Sequence, residues 1–207
     1  MMSNRDRQPK QVLLFSGHTI DRQNRPQPRF PPEMESEAKA KIQAVLERLE
    51  ASAQDLAIAP GIACGGDILF LEACLLRQIE TEVYLPFEPE EFITESVGYA
   101  GSNWVERFER IKHHSLVKLY LQPEELGLLP ANENPYERNN NWALNSSLAY
   151  GSELVRLIVL WNGKGGDGKG GTFDMVERVR RLGGTVEHLD TNKFDYWQKI
   201  DRTRSWA

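Results

Sequence analysis

Apolar residues in this chain fall into short dense runs that alternate with segments of helical period, and that alternation carries most of the architecture. Gln11 to Phe15 (QVLLF) and Glu153 to Trp161 (ELVRLIVLW) are nearly continuous apolar runs, the pattern of strands buried on both faces. Leu56 to Ile62 is closed by Pro60 and Gly61, and Glu82 to Phe87 (EVYLPF) is ended by Pro86, so both read as strands leaving a sheet. Leu116 to Leu121 reads as an edge strand and Thr185 to Leu189 as the last one. Between them, Met34, Ala38, Ile42, Val45, Leu46 and Leu49 recur at helical spacing, which predicts an amphipathic helix over Glu33 to Ala51. A second helix starts near Asp67 and is almost wholly apolar through Leu76, which places it flat against the sheet. Glu90 to Val97, Asn103 to His114, Trp142 to Gly151 and Thr172 to Leu182 predict further helices, and Gln122 to Asn141 reads as an irregular surface loop. Repeated strand-then-helix units imply an α/β fold, a mainly parallel central sheet with helices on both faces.

Composition narrows the picture. The 207 residues suit one domain over 1–207, with a disordered start over 1–10 and a tail over 193–207 that docks through Phe194, Tyr196, Trp197 and Ile200. With 40% apolar and 27% charged residues, no run approaches the ~18 apolar residues of a membrane span, and the polar, basic start has no secretory h-region. A cytoplasmic location is expected. Cys64 and Cys74 lack metal-ligand spacing, so free thiols are expected, with no metal site and no cofactor. A net charge of -5 argues against nonspecific nucleic-acid binding, which needs a basic face. A small anion held by backbone amides needs no such surplus.

In a parallel sheet every strand ends on the same edge, and ligands bind beyond that edge. The turns that must gather there are Ser16-Gly17-His18, Cys64-Gly65-Gly66-Asp67, Pro86-Phe87 and Gly170-Gly171-Thr172. Two of them are Gly-rich turns into helices, so their unpaired amides form two cradles for an anion, and the Thr172 hydroxyl adds a polar group. The alternative for Gly65 and Gly66 is a tight strand-to-helix turn with no ligand. Asp67 is placed to cap its helix. Asp67, Glu72 and His18 are the candidate catalytic groups, weighed against a cap, an interior acid and a loop histidine. In the long loop TIDRQNRPQPRFPPE, Arg22, Arg25 and Arg29 are candidates to close over an anion. Arg29 stands out because it adjoins Phe30, which would stack on a base. Trp161 either stacks on a base or seals the core, and Asn139 to Asn141 suggest helix capping. The apolar helices and the aromatic tail from Phe194 to Trp206 suggest a homodimer.

The segments FSGHTID with PRFPPE, GIACGGDILFLEACLLRQIETEVYLPFEPEEFITESV, NPYERNNNWALNSSLAYG and LIVLWNGKGGDGKGGTFDMVERVRRLGGTVEHLD are similar to the SLOG group. That group has a Rossmann-like fold and includes cytokinin-activating phosphoribohydrolases and DprA-like proteins. The resemblance runs from about Gln11 to Asp190 and is nearest to a bacterial branch thought to sense or process nucleotide derivatives. It implies a three-layer Rossmann-like fold and a nucleotide or nucleotide derivative bound at the two Gly-rich turns. The alternative it implies is hydrolysis of a nucleotide N-glycosidic bond. The hydrolytic members carry Pro-Gly-Gly-x-Gly-Thr-x-x-Glu, whose last Glu takes part in catalysis. Aligned on Gly171-Thr172, this chain has Met175 there, with Asp174 one residue early and Glu177 two late. One residue on a helix turns a side chain by about 100°, so neither acid replaces that Glu.

Overall fold

The structure, a computed structural model, describes residues 8–164 and 171–204, with side chains from 200 onward outside the description. Among these residues the strands are β1 (Val12–Gly17), β2 (Leu56–Ala59), β3 (Glu80–Leu85), β4 (Val117–Leu121), β5 (Val155–Trp161) and β6 (Thr185–Asp190). They form one sheet in the order β4-β3-β2-β1-β5-β6, and every pairing is parallel. The central strands are apolar on both faces because both faces are covered. Val12 to Phe15 have no exposed surface, and neither do Leu157 to Leu160.

One face packs against α1 (Glu35–Arg48), α2 (Gly66–Leu75), α3 (Pro89–Ser96) and α4 (Ser102–Lys112), the other against α6 (Pro135–Leu148) and α7 (Thr172–Arg181). This is an α/β fold of Rossmann-like three-layer form. Phe15 and Phe70 stack at 4.9 Å in the first core, and Val176 and Val179 bury the apolar stripe of α7 in the second. Burying such a side chain contributes roughly 1.5–3 kcal/mol. No described helix is long and apolar enough to cross a membrane.

The chain steps outward from β1 through β2 and β3 to β4, then returns to place β5 on the other side of β1. The return runs through α6 on the opposite face, as a right-handed crossover in the reversed direction requires. A topological switch point therefore lies between β1 and β5.

Two segments differ from the sequence expectation. Gln122 to Asn141 is not an irregular loop, because it holds α5 (Gln122–Leu126) and the first half of α6. Both helices start with a proline in the first turn, and the Asn134 carboxamide accepts hydrogen bonds from the amides of Tyr136 (2.9 Å) and Glu137 (3.1 Å). At the start of the chain, residues 1–7 lie outside the description, but Pro9 is buried and the Lys10 amide donates to the Gln54 carbonyl at 3.0 Å. The tail uses its aromatic residues within the chain. Phe194 is buried, Lys41 lies 5.1 Å from its ring, and the Trp197 indole donates to the Thr191 carbonyl ahead of α8 (Asp195–Arg204). Trp206 falls outside the described residues.

Candidate functional site

The parallel sheet brings Ser16, Gly17, His18, the 64–67 turn, Pro86, Phe87, Gly171 and Thr172 to its carboxyl edge, while Gly170 lies outside the described residues. Because β1 sits between β2 and β5, the 64–67 turn and the described end of the second turn, Gly171 and Thr172, flank the end of β1. Ser16 and Thr172 meet there, their hydroxyls 2.8 Å apart. Thr172 is the first residue of α7, and its N-cap is Gly171, which offers no side-chain cap. The β1 end, the β5 end and the positive end of a helix dipole thus converge at the switch point.

His18 braces this edge. Its amide donates to the Leu160 carbonyl (2.8 Å), its carbonyl accepts from Gly66 (3.1 Å), and its Nε2 accepts from the Asn162 amide (3.2 Å). An accepting Nε2 assigns the neutral imidazole with its proton on Nδ1. The ring is buried and holds the β5 exit against β1.

Gly65 and Gly66 serve the chain's own close approach, not an open space for a ligand. Gly65 has φ 114° and ψ -126°, and it bridges to Thr19 on the segment leaving β1. A Cβ there would lie 2.7 Å from the Ile20 nitrogen, and one on Gly66 would lie 2.9 Å from the Phe15 ring. The Gly66 amide is already taken by His18, and the Ile68 amide points to the Ala63 carbonyl at 3.4 Å. Of the two expected cradles, the first is closed by residues 18–20.

Asp67 is not the cap of α2, which begins after Gly65. Its Oδ2 accepts from the Ala63 amide at 3.2 Å. The missing Cβ of Gly61 makes room for this carboxylate, since an added one would stand 2.9 Å from Oδ2 and 3.0 Å from the Phe92 ring. Asp67 keeps some accessible surface, yet protein surrounds its carboxyl, and desolvation pushes its pKa up to about 7 against the single amide that opposes the shift. Cys64 beside it is fully buried, and burial raises its thiol pKa above the ordinary value, so it is inert. The neighbouring Tyr99 hydroxyl donates to the Ile20 carbonyl at 3.0 Å.

Other expectations are corrected by what the side chains touch. Glu72 is not available for catalysis: both its oxygens accept from Arg107, at 2.8 and 2.7 Å, and Arg107 also donates to Glu35 at 2.7 Å. Buried Arg107, lying 4.1 Å from the Trp104 ring, ties α1, α2 and α4 together. Phe30 cannot stack on a base because it is fully buried in the core. Arg29 is half-buried beside it, and the amides of both residues donate to Asp21. Arg22 lies 3.9 Å from the Tyr99 ring and donates to the Glu95 carbonyl, while Arg25 pairs with Asp21, so these two tie down the loop. Phe87 meets the Tyr136 ring edge-on at 5.3 Å, away from the switch point. Trp161 is buried and donates to the Lys164 carbonyl, which seals the core. Met175 is buried in the second core, so no side chain from that position reaches the edge.

The asparagine run caps nothing, since it lies inside α6. Asn139, fully buried, donates to the carbonyls of Pro60 and Tyr84, both at 2.9 Å, and so pins the exits of β2 and β3. Asn141 accepts from Arg178 at 2.5 Å and joins α6 to α7. Sequence reasoning also missed Phe173, half-exposed at the start of α7 and 6.2 Å from Trp161. Its signal was available, an aromatic residue directly after Gly-Gly-Thr. Among the described residues no three His, Cys, Asp or Glu side chains cluster as metal ligands. Comparison with protein-family models, curated proteins and solved structures gives no match, so the functional reading rests on the geometry of this edge.

Proposed function

We propose that the chain binds a nucleotide or nucleotide derivative in the crevice between β1 and β5 and acts as a sensor of it. The observation that carries this reading is the meeting of the Ser16–Thr172 hydroxyl pair with the start of α7 at the switch point of the sheet. A phosphate there accepts from α7 amides and from the two hydroxyls, which release each other to bind it. Phe173 offers a half-exposed ring to the base, the part first assigned to Phe30. The Rossmann-like layers support SLOG-like membership, and two buried free thiols suit a reducing bacterial cytoplasm. We also propose that the protein works as a homodimer.

One observation favours the hydrolytic alternative. Asp67 sits on the same edge with its pKa near 7, where a carboxyl exchanges its proton at working pH and serves as an acid or base for cleaving an N-glycosidic bond.

A panel of nucleoside monophosphates, ADP-ribose and cyclic dinucleotides tests both readings by calorimetry and base release. At least one compound should bind, and Thr172→Val should weaken it by roughly 0.5–1.5 kcal/mol, one neutral hydrogen bond. No free base should appear over hours. Base release that Asp67→Asn abolishes at unchanged affinity establishes the hydrolase instead. A panel without a binder overturns the sensor.

A further inference from the structure

The β4 edge of the sheet has a polarity that can be read from its pairing. The Thr81 amide donates to the Leu116 carbonyl, and β3 and β4 run in parallel register from Thr81↔Val117 to Leu85↔Leu121. In such a ladder Lys118 and Tyr120 turn both backbone polar groups toward β3, so those of Val117, Leu119 and Leu121 turn outward. The Val117 amide is returned to the His114 carbonyl at 2.9 Å. The outward row then presents a carbonyl at Val117, both groups at Leu119 and an amide at Leu121.

That row is complementary to itself. About a two-fold axis through Leu119, an antiparallel copy exchanges both bonds between the two Leu119 residues and sets each Leu121 amide against the Val117 carbonyl of the other chain. The side chains fit the same axis. Lys118 falls opposite Tyr120 of the copy in a non-hydrogen-bonded pair, where side chains lie closest. The Tyr120 hydroxyl donates to Glu82 at 3.1 Å, so the incoming ammonium meets an aromatic ring and a carboxylate, a complementary charge. Lys118 already lies over its own Tyr120 ring at 4.8 Å, on the face this pairing uses.

A second observation concerns the turn after α5. Leu128 is 93% exposed, and Leu126 and Leu129 are also exposed, yet Arg138 fixes this turn by donating to the carbonyls of Leu126, Gly127 and Leu128 at 2.6–3.2 Å. A charged clamp that holds leucines in water orders an apolar surface for a partner.

We infer that β4 is a homodimer interface, where two copies join edge to edge into one continuous sheet about Leu119. The switch-point crevice lies at the middle of each sheet, so this pairing leaves both open. The inference stands without the nucleotide reading.

Hydrogen exchange on the unmodified protein tests it first. The amides of Leu119 and Leu121 should be protected at high micromolar concentration and lose protection on dilution, while those of Lys118 and Tyr120 stay protected throughout. Sedimentation should show a dimer, and Leu119→Lys, which sets like charges on the axis, should raise its dissociation constant about tenfold or more. Leu119→Cys should cross-link to its own copy on mild oxidation, since facing strand residues lie ~5.5 Å apart and the two native cysteines are buried. A monomer at high micromolar concentration overturns the inference. So does a dimer in which the Leu119 and Leu121 amides exchange freely and Leu119→Cys gives no cross-link, because that dimer uses another face.

Discussion

Replacing Asp67 by Asn tests the electrostatics of the carboxyl edge. The wild-type carboxyl has a folded-state pKa of about 7 against 3.8 for the free group, with desolvation as the leading cause. Raising the carboxyl from 3.8 to about 7 corresponds to about 4 kcal/mol, and the surface Asp67 retains lowers the expected effect to roughly 1–2 kcal/mol. The direction follows from proton binding. Well below pH 4, both states hold the proton. Between about 4 and 7 the folded chain keeps a proton that the unfolded chain releases, so this carboxyl makes stability fall as pH rises through that window and level off above 7. Asn stays neutral and keeps an oxygen for the Ala63 amide. Urea unfolding from pH 4.5 to 8 should therefore show Asp67→Asn gaining stability relative to wild type as pH rises, worth about 2–4 °C in Tm per kcal/mol for a chain of this size. Parallel profiles for the two proteins would refute the argument, because they would mean that the carboxyl is solvated in the fold.

Three further outcomes follow from the same contacts. Gly65→Ala should cost roughly 3 kcal/mol in chemical denaturation, since the new Cβ meets the Ile20 backbone at a φ only glycine adopts easily. Arg107→Ala should cost about 2–4 kcal/mol, because it strands Glu72 and Glu35 among three helices, while nucleotide affinity in calorimetry stays unchanged. Gly61→Ala should cost roughly 1–3 kcal/mol, and the same change in the Asp67→Asn background shows whether the crowding or the carboxylate dominates.

The strand runs and the alternation of elements made the fold legible, because burial on both faces leaves continuous apolar stretches that no surface strand needs. The helices within 122–141 also had a signal, Asn134-Pro135 as cap and first residue, but the polar residues of that stretch obscured it. Strand order was not legible. Nothing local in β5 says that it returns to lie beside β1, and the switch point exists only through that pairing. The candidate residues could be placed together on one edge because parallel strands all end there. Their roles were harder to read. Gly65 and Gly66 look the same whether the missing Cβ admits a phosphate or the chain's own residues 18–20, and Glu72 looks free until Arg107, 35 residues later, closes on it. Phe30 was read as a stacking ring because it lies in an arginine-rich loop, and its burial depends on a core that only the tertiary structure assembles.

Amide chemical-shift mapping during titration with the tightest-binding member of the nucleotide panel locates the ligand on the sheet edge. The largest changes are expected at residues 16–18 and 171–174, with Asn162 and the Phe173 ring following, and only small changes at Gly65 and Gly66, whose amide environment is already closed. Shifts confined to the 64–67 turn, or to the α4 side of the sheet, would contradict a ligand at the β1–β5 switch point.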